Sequence, residues 1–223
     1  MKKTMLFCKP LFVCLAFTFL LASCEREKEI KKKPFKANTT TWYRVSPTAP
    51  APVTIGGVNY TTFAYVPGGG EGNATHMGNV KTWFNQLAFT ASELTIPAGS
   101  LVAPVVDVIN YPVLGAPLPL IQAGDFAGLA AINTKLNIPQ QVYGKVVSSF
   151  FYNDKGDAVF ISNSTVSFIT PVSPTRNEFS GKALIVGGRG KFSNAVGEVD
   201  FKGSFNPNNP NEADYGVDGW ISY

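Results

Sequence analysis

The chain has 223 residues, and 15% of them are charged, against about 25% in typical domains. One histidine, His76, rules out a multi-histidine metal centre, and three cysteines, Cys8, Cys14 and Cys24, all near the start, rule out a disulfide-stapled scaffold. The net charge of +4 belongs to the N-terminus, because from Ala37 onward ten basic residues face twelve acidic ones and no basic stripe suited to nucleic acid is present.

The N-terminus reads as a targeting segment. Lys2 and Lys3 precede an apolar run, Leu11 to Ala22 (LFVCLAFTFLLA), that is shorter than the roughly 20 residues needed to span a bilayer. Leu21-Ala22-Ser23-Cys24 follows directly and resembles the bacterial lipobox. The resemblance implies cleavage before Cys24, diacylglycerol on its thiol and a fatty acid such as palmitate on its new amino group. Several acyl chains give stable anchoring where one is marginal. The expected division is a signal peptide over 1–23, a charged tether over 24–36 (CEREKEIKKKPFK) and a domain over 37–223. The expected location is the bacterial envelope at the outer membrane, with the membrane as partner through the acyl chains. Glu25, Glu27 and Glu29 resemble surface-export signals, and both the periplasmic and the surface face stay open.

Beyond the tether, short apolar and aromatic segments recur between turn signals, which predicts an all-β domain. TTFAYV (61–66) reads as a strand ending at a PGGGEG turn. Residues 74–90 read as one long strand, with a bulge near 84–86 because Val80 and Phe84 share a face while Leu87 and Phe89 share the other. Residues 101–140 break the pattern with five prolines and little charge, and Asp125 is placed to cap a short helix through Phe126, Leu129, Ala130 and Leu136. This insertion is read as a lid over a site or as a plug that completes the core. Residues 142–152 and 157–170 are predicted to form a hairpin across Asn153-Asp154-Lys155-Gly156.

The glycine-rich stretch GGRGKF (187–192) invites a phosphate-loop reading. Such a loop must open a helix. Here Val199, Phe201 and Phe205 alternate with Glu198, Asp200, Lys202 and Ser204, a period of two, so the stretch is a strand-to-strand corner. The C-terminal DYGVDGWISY alternates as well, with Tyr215, Val217 and Ile221 on one face, which predicts that the last strand closes the sheet.

Three stretches carry a family resemblance. GGRGKFSNAVG (187–197) is similar to the GGTGRFxxAxG corner of secreted bacterial barrels of the allene oxide cyclase and dirigent type. GNATHMG (72–78) is similar to their ATHLG strand entry, and NDKGD (153–157) to their NGD hairpin. Arg189 stands where threonine is usual, and the 101–140 insertion is longer than the family pattern. The resemblance implies a single calycin-like antiparallel β-barrel with an apolar, partly helical insertion. It brings no activity with it, since no cyclase site residue aligns.

Chemistry-bearing residues are sparse. A continuous strand over 74–84 would turn His76 inward beside Val80 and Phe84, as a hydrogen-bonded structural residue or as a general base. Glu198 and Asp200 share a strand face, but Lys202 on the same face marks a solvent stripe. No GxSxG, HExxH or calcium-loop pattern occurs, and no catalytic residue, cofactor or metal ligand is assigned. The expected function is an envelope lipoprotein whose barrel binds or presents a small apolar molecule, with His76, Trp83, Phe84, Phe150 and Tyr152 as candidate contacts. The alternatives are a cyclase- or isomerase-like enzyme working by confinement, and a purely structural envelope protein.

Overall fold

Alternation of period two governs the chain almost from its first described residue. In strand β1 (Lys33–Tyr43), Phe35, Ala37, Thr39 and Thr41 are buried while Pro34, Lys36, Asn38 and Thr40 are exposed. The computed structural model describes residues 31–91, 98–110 and 146–223. The signal segment, Cys24, most of the tether, residues 111–140 of the insertion and the helix expected after Asp125 lie outside the described residues.

The other strands are β2 (Ser46–Ile55), β3 (Val58–Ala74), β4 (Gly78–Ala91), β5 (Gly99–Val102), β6 (Ser149–Tyr152) and β7 (Ala158–Asn163). They continue with β8 (Ser167–Ser173), β9 (Arg176–Arg189), β10 (Val196–Asn206) and β11 (Asn209–Ser222). All their pairings are antiparallel, and they build one sheet. The sheet closes into a ring over part of its length: β3, β1, β11, β10, β9, β7, β6 and β4 pair in turn, and β4 returns to β3. Where β6 and β7 end, β5 and β8 bridge β4 to β9 instead. β11 lies between β1 and β10, so the last strand closes the sheet as its alternation predicts.

Among the described residues, every strand pair and every buried apolar cluster falls within Lys32–Tyr223, which forms a compact unit of its own. The main cluster fills one half of the barrel interior with Phe35, Phe151, Val159, Phe192 and Ile221, all fully buried. A second cluster lies on the outer face. Trp83, Phe150 and Phe160 sit side by side across β4, β6 and β7, and Val105 and Val108 of a 3-10 helix over Val105–Asn110 join them. This helix and β5 are the described part of the insertion.

Four sequence expectations are corrected. The tether ends before Lys33 rather than at 36, because residues 33–36 pair with β11 and Phe35 is fully buried. Pro67–Gly72 is not a turn, for β3 runs straight through it to Ala74. Its glycines reflect close approach to β1: a Cβ on Gly70 would lie 2.1 Å from Thr40 O, and one on Gly72 would lie 2.0 Å from Asn38 O. Residues 74–90 divide at a turn, Thr75–Met77, between β3 and β4. Finally, β4 runs without a bulge, and the register shift lies in β3 between Thr62 and Ala64. The mixed pattern of β4 arises because Phe84 faces the interior while Trp83, Leu87 and Phe89 enter clusters on the outer face. A strand buried on both faces has no polar side to read.

The 142–170 hairpin is present in shorter form. β6 and β7 meet across residues 153–157, and β8 begins separately at Ser167.

Candidate functional site

The three motif stretches meet at the filled end of the barrel. His76 occupies the middle of the Thr75–Met77 turn with φ of 65°, a left-handed conformation that histidine tolerates better than most residues. It is exposed, not inward. Its Nε2 lies 2.9 Å from the Pro34 carbonyl, which can only accept, so that nitrogen carries the proton. Lys191 of the glycine corner donates its ammonium to the His76 carbonyl and pairs with Asp157 of the hairpin at 3.6 Å. Asn153 donates its Nδ2 to Met77 O (3.2 Å) and accepts from the backbone N–H groups of Lys155 and Asp157 (3.1 Å each). Gly190, at φ of 63°, lets the corner fold against Asp157. These residues tie loops together; they do not surround a reactive centre.

The other half of the interior is open. A cavity of about 340 Å³ reaches the surface between Val45 and Phe63, each 43% exposed. Phe84, Val66, Phe179, Phe201 and Phe205 form its walls. Alternation along β4, β9 and β10 puts the four rings inside, and packing from the filled half stops at Tyr215 of β11. That ring stacks on Phe151 at 5.8 Å and 9° and lies 6.0 Å from Phe84. Its hydroxyl is 3.1 Å from Ser149 Oγ. Tyr215 thus forms the floor.

Polar groups in the cavity are few. Ser100 donates to Gln86 Oε1 at 3.3 Å, and Ser167 donates to Ser180 O at 3.3 Å. Asp214 is the one charged residue among the described lining, and its carboxylate accepts from Ser204 N (3.1 Å) and the Ser204 hydroxyl. Tyr43, near the mouth, donates to Asn206 O at 2.9 Å, and burial raises its phenol pKa. No group of three or more histidine, cysteine or acidic residues suited to a metal ion occurs among the described residues.

Burial pushes the Tyr215 pKa up to about 12, although the bond to Ser149 opposes the shift. The unfolded chain releases this proton near pH 10, whereas the folded chain holds it. The resulting stability is intact below pH 10 and is lost as pH rises towards 12. Chemical unfolding should therefore require less denaturant at pH 11 than at pH 9, and Tyr215→Phe should flatten that dependence.

Of the sequence-selected contacts, only Phe84 lines the cavity. Trp83, Phe150 and Tyr152 belong to the outer cluster, one step out of phase with Phe84 along their strands. His76 lies at the opposite end. Glu198 and Asp200 are exposed, and Asp200 pairs with Lys182 at 3.0 Å, as a solvent stripe requires. The lining residues that the sequence reading does not select include Ser149, Asn163, Phe179, Phe201 and Tyr215. Tyr215 was already legible as inward-facing from β11 alternation, but Ser149 and Asn163 sit in strands whose two faces are both buried. No protein-family model, curated protein or solved structure matches this chain.

Proposed function

We propose that the protein is a lipid-anchored envelope protein of bacteria whose calycin-like barrel holds a small apolar molecule in its open half. The observation that carries this reading is the cavity itself. Its 340 Å³ falls within the range of about 300–1,000 Å³ usual for small-molecule sites. A barrel serving only as a structural block would pack both halves alike, as protein interiors do. The convergence of the three motif stretches at one end supports the likeness to allene oxide cyclase and dirigent barrels. Anchoring rests on the lipobox at Cys24, and β1 begins at the filled end of the barrel, near His76.

The facing hydroxyls of Ser149 and Tyr215 favour a second reading, an isomerase- or cyclase-like enzyme. Neither hydroxyl has a basic side chain beside it among the described residues, so the pair is better suited to orienting a guest than to moving protons.

A naphthalene-based fluorescent probe should bind the 32–223 domain saturably. Ala88, on the inner face of β4, lines the cavity, and Ala88→Trp should abolish that binding while the strand spectrum persists. Undiminished binding by the variant would remove the cavity as the site. In cells, radioactive fatty acid should label the full chain, and Cys24→Ser should prevent it. An unlabelled wild-type chain would contradict the anchoring.

A further inference from the structure

The open half of the barrel has a chemical polarity that narrows its guest. Tyr215, 7% exposed, and Ser149, 1% exposed, contact each other through their hydroxyl oxygens at 3.1 Å. One hydroxyl donates to the other, so the pair retains one O–H proton for which the described residues offer no acceptor. Asn163, 4% exposed, accepts at its Oδ1 from the Ser148 hydroxyl at 2.9 Å. Its amide N–H groups then have no protein acceptor among the described residues and keep some accessible surface. All three residues line the same cavity. The lining therefore holds donors without a protein partner, beside the acceptor lone pairs that the two hydroxyl oxygens keep, on side chains more than nine-tenths buried. A guest that accepts from these donors gains hydrogen bonds in a space where little water competes.

Charge is equally one-sided. No lysine, arginine or histidine occurs in the described lining, and the single carboxylate, Asp214, is held by Ser204. A carboxylate or phosphate entering this space would lose its hydration without gaining a counter-ion. A pure hydrocarbon would leave the donors unmatched. Size adds a bound: at about 30 Å³ per water-sized group, 340 Å³ holds roughly eleven.

We infer that the guest is an uncharged, mostly hydrocarbon molecule of about ten to a dozen non-hydrogen atoms, bearing an acceptor oxygen such as a ketone or ester carbonyl that the Tyr215–Ser149 pair and the Asn163 amide receive. This inference rests on the cavity reading above and assigns the chemistry within it. The three residues are binding groups, and the Phe84, Phe179 and Phe201 rings hold the hydrocarbon part.

Three probes that share one ring system separate the terms: 2-acetylnaphthalene, 2-ethylnaphthalene and 2-naphthoate. Each competes with the fluorescent probe on the 32–223 domain, whose sheet and core are complete without the preceding residues. The ketone should bind about fivefold more tightly than the hydrocarbon, the usual scale of one or two net hydrogen bonds. The naphthoate should bind least. The double variant Tyr215→Phe/Ser149→Ala removes both hydroxyls together, and Asn163→Leu removes the amide. Each should weaken the ketone by about fivefold and leave the hydrocarbon unchanged. Should Asn163→Leu not fold, the near-isosteric Tyr215→Phe/Ser149→Ala pair still decides. Equal binding of ketone and hydrocarbon, or an undiminished ketone in the double variant, overturns the donor assignment while leaving the cavity reading intact. Tightest binding by naphthoate overturns the uncharged guest. If none of the three displaces the probe, both this inference and the cavity reading fail.

Discussion

Gly72→Val should open the seam of the barrel. Gly72 pairs with Thr39 where β3 meets β1, and a Cβ there would stand 2.0 Å from Asn38 O and 2.7 Å from Thr39 Cα. Both obstacles are backbone, so no side-chain rotation relieves the contact. The strands must separate, and the pairings of β1 with residues 68–74 weaken with them. The expected cost is about 3 kcal/mol, the upper range for overpacking, and it falls on a stability of about 5–15 kcal/mol. Glu71→Val is the control, because Glu71 is exposed on the same strand and should change stability by less than about 0.5 kcal/mol. Denaturant titration of both variants distinguishes the outcomes. A Gly72→Val domain as stable as wild type would mean that β1 and β3 are not so closely apposed.

Starting the domain at Ala37 instead of Lys32 should be comparably damaging. The shorter chain loses the pairings of residues 33–36 with 218–221. It also loses Phe35, which is fully buried and packs edge-on to Phe151 with ring centroids 6.4 Å apart. Removing a buried phenylalanine side chain costs about 3–5 kcal/mol. Two local ties go as well: Lys36 N–H to Thr75 Oγ1 at 2.9 Å and His76 to Pro34 O at 2.9 Å. For a domain of this size the melting temperature should fall by about 10–15 °C. Lys32 and Lys33, which lie over the Trp220 and Tyr223 rings at 4.1 and 3.7 Å, add only weakly because they are near solvent. Scanning calorimetry on domains beginning at 32 and at 37 measures the difference. Equal melting temperatures would return residues 33–36 to the tether.

Residues 33–36 mark the limit of what a local pattern carries. CEREKEIKKKPFK looks uniformly solvated because basic residues surround Phe35, yet a strand alternates, and one aromatic in four positions suffices to set its inward face. PGGGEG looks like a turn because glycine clusters usually mark one. Here they mark contact with a strand far away in sequence, which no local pattern reveals. Strands with one dry face, such as β10 and β11, are legible in orientation, although β11 begins at Asn209, five residues before the alternation read from Asp214. Strands with two, such as β4, β6 and β7, were legible as strands but not as to which face is which.

The same limit explains the candidate site. Trp83 and Phe84 are neighbours in sequence and equally aromatic, and only pairing with β6 decides that Phe84 looks into the barrel. His76 drew attention as the single histidine, although its place is a turn at the filled end. The motif stretches were recognisable because the loop geometry there demands particular residues: glycine at positive φ, and asparagine and aspartate to bind backbone N–H groups. Cavity walls make no such demand. Any inward apolar residue serves, so the site leaves only a weak trace in sequence.

The central claim is that the open half of the barrel carries a small apolar molecule. Native mass spectrometry of the protein purified under mild conditions from its native host tests it most directly. A population heavier than the denatured chain by the mass of one small molecule is expected, lost on denaturation and absent from Ala88→Trp. A bare mass in every preparation, together with no saturable uptake of the apolar probe, would contradict it.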